Sequence, residues 1–156
     1  GFPVVLVTVD RNIMTAAAFS FYSFKPPSVM VGIMPQQLTF ELISARKEFG
    51  INIPRADQVE AVGICGSISG RDADKYARAG LTPLKGLTID SFLIAECPVN
   101  LECRVVHEVD FEGTHHWFIG EILTAHVEED YARDDALMFW ARELRAVGEV
   151  IIRNDE

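Results

Sequence analysis

Residues 12–27 hold the sequence's most unusual composition. Thr15, Ala16, Ala17, Ala18 and Ser20 follow an Asn-Ile-Met opening in near succession, and the stretch stops at the double proline Pro26-Pro27. A core strand usually spends such positions on branched or aromatic side chains, so small ones suit backbone approached closely by something flat. The chemistry that fits is the binding of a planar cofactor ring. A helix start or a tightly packed strand fits the same composition, and spacing alone leaves both open.

Three further groups could do chemistry. Ser69-Gly70-Arg71-Asp72-Ala73-Asp74-Lys75 reads as a loop leading into a short helix that ends at Gly80. Ser69 or Asp72 would cap that helix, and amides exposed at such a start favour an anion, although a solvated capped loop has the same pattern. His115 and His116 are adjacent, so in strand geometry they point to opposite faces. One of them points inward at most, and a structural, solvent-facing histidine is the commoner outcome. Cys65, just ahead of the Ser-Gly-Arg-Asp loop, could be redox-active; the commoner role of a lone buried cysteine is a small hydrophobe. Cys97 and Cys103 read as core, as do Trp117 and Trp140. No Cys-x-x-Cys pair or His/Cys cluster has metal-ligand spacing, so no metal is expected.

The elements that must position these groups are mostly strands. Residues 4–9 form a nearly unbroken β-branched run followed by the turn residues Asp10-Arg11-Asn12. A second strand stops near Phe24, where Pro26 and Pro27 remove two donors, and residues 29–34 form a third. Residues 39–49 change to helical period, with Thr39 as the cap and Gly50 as the stop. Residues 51–53 make a short strand with Asn52 facing away from its neighbours, and residues 55–64 can form a helix. Residues 92–95, 99–109 and 117–127 read as strands, the last two as a hairpin. Residues 134–147 are helical by pattern, with Leu137, Trp140, Ala141 and Leu144 on one face. The expected fold class is mainly β with flanking helices, a barrel of antiparallel strands.

Composition narrows the classes. At 156 residues and 49% hydrophobic content, one domain over residues 1–156 with a real core is expected. The formal charge of -9, from 23 acidic against 14 basic residues, argues against nucleic acid and acidic membrane surfaces as partners. An anionic ligand would need a local basic patch. Three cysteines without pairing fit a reduced, cytoplasmic protein, and no apolar run approaches the ~20 residues of a membrane span. The chain begins directly ahead of a strand-like run, so residues upstream of Gly1 are expected to be missing.

The order of motifs resembles the flavin reductase-like, FMN-binding split-barrel family, in particular its flavoredoxin-like branch. Asn12, Met14, Thr15, Ser20, Pro26 and Pro27 meet its first pattern. The segments 48–54, 69–76 and 80–82 resemble its Glu-Phe-x-x-Asn-x-Pro stretch, its Ser-Gly-Arg-Asp-x-Asp-Lys-aromatic loop and the Gly-Leu-Thr that follows. Glu96, Pro98 and Leu101-Glu102-Cys103, then His115 and Phe118-Ile119-Gly120-Glu121-Ile122, resemble its last strands. Each piece alone is weak, and five in order are specific.

The resemblance implies a six-stranded antiparallel Greek-key split β-barrel, a homodimer, and one FMN per subunit near the dimer interface. It places Met14, Thr15, Ala16, Ala17 and Ser20 along the isoalloxazine ring. It brings Thr39, Asn52, Ser69, Gly70, Arg71 and Lys75 to the ribityl phosphate or the ring, and makes His115 the candidate catalytic residue. One departure is Gln37, where the family often has Arg; Lys25, Arg46, Lys47, Arg71 or Lys75 would have to supply the charge. The implied activity is hydride transfer from NAD(P)H to flavin and on to free flavin for a partner monooxygenase, ferric iron or another redox protein. Two alternatives stay open: an FMN-binding electron carrier without its own nicotinamide site, and a split barrel that has lost flavin.

Overall fold

The computed structural model describes residues 1–148. After the two-residue β1 (Phe2–Pro3) comes β2 (Val5–Val9), buried along its whole length because both of its faces are covered. Val5, Val7 and Val9 face one apolar cluster, with Ile51, Cys103 and Phe118; Val4 and Leu6 face a second, with Ile13, Val62 and Cys65. A strand with two wet-free faces has no polar alternation, which is why the sequence reads as a nearly unbroken apolar run, interrupted by the buried Thr8.

The chain continues through β3 (Asn12–Ala16), β4 (Phe19–Phe24), β5 (Pro27–Ile33), α1 (Leu38–Arg46) and β6 (Glu48–Ile53). Then come α2 (Val59–Ser67), α3 (Lys75–Ala79), β7 (Pro83–Lys85), β8 (Phe92–Ile94), β9 (Val99–Val109), β10 (His116–Val127), β11 (Leu137–Trp140) and β12 (Glu143–Ala146). The main sheet is antiparallel, in the order β3-β2-β6-β9-β10-β5-β4. Its outermost strands, β3 and β4, are joined by Ala17 and Ala18 alone. Three residue steps reach no more than about 11 Å, so the two edges of the sheet must lie side by side. The sheet is therefore curled into a split barrel, and residues 17–18 sit at its seam. The stretch expected as one strand bends there into two, so the sheet has seven strands instead of six.

Several local expectations are corrected. Residues 134–147 do not form a long helix: β11 and β12 make a hairpin, and β1 pairs with the outer side of β11. Ala141 and Arg142 take φ of 50° and 68°, the left-handed pair that a two-residue hairpin turn of type I′ needs, without the Asn-Gly that usually announces it. Long-range partners outweigh the helical pattern: Val4 N donates to Leu137 O (3.0 Å), and Leu137 is buried in the second cluster. The first helix ends at Lys47 (φ 57°), not Gly50, which lies inside β6. Thr39 is not its cap; Gln37 holds that position. Helix α3 is capped by Asp74, whose carboxylate accepts from Tyr76 N and Ala77 N, and neither Ser69 nor Asp72 does so. That carboxylate occupies the amides an external anion would have used. Gly120 is required by packing, because a Cβ there would stand 2.4 Å from the Phe49 ring. Residues 149–156 of the expected domain lie outside the described ones, and among the described residues no helix is long and apolar enough to cross a membrane.

Candidate functional site

A cleft of about 220 Å³ opens at the seam. It is lined by Met14, Thr15, Ala16, Ala17 and Ala18 of β3 and the seam, by Gly32, Met34 and Gln37 of β5 and the residues after it, and by Cys65, Gly66, Ile68, Lys75 and His115. Side-chain volume explains the opening. Gly32 N donates to Ala18 O (2.7 Å), which ties the seam to β5, and a Cβ on Gly32 would come within 3.0 Å of the Trp117 ring. The small residues leave backbone as the wall, the geometry a flat ligand needs.

Beyond Ala17, Ala18 and His115 the cleft meets a wider apolar groove of about 570 Å³, lined by Phe2, Phe19, Ser20, Trp117 and Phe139. Thr114 Oγ1 and His115 Nδ1 share a hydrogen bond of 2.8 Å. His116 is in different surroundings: its Nε2 meets Glu108 at 2.9 Å and its ring packs on Phe40 and Phe118.

Met14, Thr15, Ala16, Ala17, Lys75 and His115 thus come together, while the other candidates do not join them. Ser20 is exposed and borders the groove. Thr39 is buried with its hydroxyl accepting from Asn12 Nδ2 (2.8 Å). Asn52 is fully buried and engaged on every side. Its amide donates to Leu6 O and Thr8 Oγ1, and its carbonyl accepts from Ile94 N and Asn100 Nδ2. It ties β2, β8 and β9 to β6. Ser69 is exposed. Gly70 and Arg71 border a separate cavity, and Arg71 pairs with Glu41 at 2.5 Å. A Cβ on Gly70 would collide with Asn12 Oδ1, the one buried side-chain oxygen without a partner among the described residues.

The electrostatics single out Lys75, 5% exposed. Its Nζ donates to Ile13 O (2.7 Å) and Cys65 O (2.9 Å), and burial pulls its ammonium below the ordinary lysine value. Burial likewise pushes the Cys65 thiol up to about 11, against the pull of Lys75, so it stays protonated near neutral pH. That favours the hydrophobe reading of Cys65 over a reactive thiolate.

Residues 1–148 match the family described as flavin reductase like domain. The chain belongs to that family. The structure superposes on flavoredoxin of Desulfovibrio vulgaris (Miyazaki F) with a TM-score of 0.87 at 33% identity, covering 97% of this chain and 90% of that one. For flavoredoxin from Methanosarcina acetivorans the TM-score is 0.89 at 29% identity, covering 97% and 88%. An uncharacterized protein of Archaeoglobus fulgidus is 37% identical over 112 residues, 72% of this chain but 63% of that relative's length. The likeness in fold covers nearly the whole chain.

Within this member of the family, sequence reasoning missed Gly32, Met34, Gly66 and Ile68 as walls of the cleft, and favoured packing over ring stacking for Trp117. Gly32 had a signal, since a glycine inside an apolar strand marks close approach. The others had none, because they reach the cleft from α2, its following loop and the residue after β5.

Proposed function

We propose that the chain binds FMN along the seam and acts as a flavin reductase-like oxidoreductase, moving hydride from NAD(P)H to flavin and electrons on to free flavin, ferric iron or a redox partner. The observation that carries this reading is the seam cleft, lined by small residues and by a buried cation. Both fit the group: bare backbone suits a planar ring, and Lys75 suits a ligand that bears negative charge. Bound flavin would supply the hydride-accepting and electron-returning chemistry.

The chain's own residues orient and shield. Met14, Thr15, Ala16 and Ala17 lie along the ring, while Met34 and Ile68 keep water from it. Thr39 and Asn52 act from below, fixing β3 and β6 instead of touching the ligand. Ser69, Gly70 and Arg71 serve the phosphate side, with Arg71 exchanging the exposed Glu41 carboxylate for phosphate. His115 stands between cleft and groove and positions the donor ring, which the aromatic walls of the groove, with Ser20 at their edge, accept. The exposed Phe21, Tyr22 and Phe24 of edge strand β4 support a homodimer.

The similarity to two flavoredoxins favours a second reading, an electron carrier without its own nicotinamide site. Anaerobic mixing of the FMN-loaded protein with NADH or NADPH separates the two: bleaching of flavin absorbance is the reductase result, and stable colour is the carrier result. A colourless preparation with no quenching on FMN titration removes both.

A further inference from the structure

Among the described residues only two charged side chains are buried, Lys75 and Glu102. An ammonium has three N–H donors, and Lys75 spends two on the carbonyls of Ile13 and Cys65. No carboxylate pairs with it among the described residues, and a charge taken out of water without a counter-ion is costly. Among the described residues it is also the only Lys or Arg that borders the seam cleft, whose other titratable neighbours there are the Cys65 thiol and His115.

Its place argues against a phosphate ligand. The carbonyls that hold it belong to Ile13 of β3 and Cys65 of α2, next to Met14 and Gly66 in the cleft wall. The Gly70-Arg71 loop borders a different cavity. A phosphate also wants several donors, and Lys75 has one to spare.

We propose that Lys75 is a redox-tuning residue, its buried ammonium set against the flavin ring so that it favours the two-electron-reduced form over the oxidised one. The oxidised ring is neutral and the reduced ring carries an added negative charge near neutral pH, so a fixed cation beside it interacts differently with the two states. An opposite charge at contact range shifts such an equilibrium by about one to three powers of ten. This inference rests on the flavin reading, and names which part of the flavin Lys75 faces.

The test compares wild type with Lys75→Gln, Lys75→Met and Lys75→Arg. Oxidised and dithionite-reduced FMN and riboflavin are titrated anaerobically, and the midpoint potential of the bound flavin is measured by spectroelectrochemistry. In the neutral variants the preference for reduced over oxidised flavin falls by about tenfold to a hundredfold, a potential drop of about 30 to 60 mV for a two-electron couple. Arg retains most of it, and the ratio of FMN to riboflavin affinity stays as in wild type. Loss of that ratio with an unchanged potential overturns the inference and makes Lys75 a phosphate residue. Should the neutral variants not fold, wild type decides alone: tighter binding of the reduced than of the oxidised flavin supports tuning, and the reverse overturns it. Wild type that binds neither flavin overturns the flavin reading itself, and this inference with it.

Discussion

Glu102 and Lys75 are both charged and both out of water, yet their surroundings differ. The Glu102 carboxylate accepts from Leu87 N, Thr88 N, Ile89 N, Thr88 Oγ1 and His126 Nε2, at 2.6 to 3.1 Å. Burial alone would raise its pKa, but those donors overcome it and hold the group at about 2. Lys75 has two carbonyl acceptors and a cleft. A buried charge whose partners all come from the fold is a fastener, here pinning the loop before β8 onto β9. One with a donor to spare beside an opening is aimed at something that arrives later.

Breaking the fastener should have the largest effect. Glu102→Ala strands four donors and a histidine, and is expected to cost about 3 to 5 kcal/mol in denaturant unfolding, against about 1 kcal/mol or less for Lys75→Met in the flavin-free protein. Equal losses would erase the distinction. The pH dependence has a definite sign. Because the folded pKa of Glu102 is depressed, its stabilisation is present above the unfolded value of roughly 4.3 and fades as pH falls toward 2. Acid unfolding of Glu102→Gln should therefore lack that component of the slope.

Filling the opening comes next. Ala17→Leu is expected to lower flavin affinity by at least about a hundredfold, roughly 2.7 kcal/mol, while far-ultraviolet circular dichroism stays unchanged; wild-type affinity would show that the seam is not the ring site. Smaller again is Arg71→Ala, whose side chain is paired in solvent. FMN should weaken about fivefold or less with riboflavin unaffected, since exposed pairs contribute about 1 kcal/mol at most. Away from both charges, Arg142→Gly relieves a left-handed residue (φ 68°) and should raise stability by about 0.5 kcal/mol in thermal unfolding.

Much of the barrel was legible before the structure. β2, β5, β9 and β10 show themselves through apolar runs bounded by turn residues, and the small-residue stretch marked one wall of the cleft. Asp74 was the harder case: three acceptors, Ser69, Asp72 and Asp74, precede the helix, and which one caps it depends on where the loop leaves Gly70, packed against Asn12. Asn52 read as a polar residue turned away from apolar neighbours. Its partners Leu6, Thr8, Ile94 and Asn100 lie 42 to 48 positions away in sequence. No local pattern reports contacts of that range.

By itself the sequence determined a mainly β chain, the hairpin of β9 and β10 and a run of small residues at 15–18, because periodicity and side-chain size are local properties. Only the tertiary structure decided that residues 137–146 form a hairpin, where pairing with β1 and burial of Leu137 outweigh helical spacing. It alone also decided that Lys75 is buried, since its two carbonyl partners come from β3 and α2. Packing of α2 on β3, where Thr15 Oγ1 donates to Val62 O, brings those elements together, and closing the sheet at Ala17-Ala18 turns a strip of small residues into a cleft with a cation in its wall.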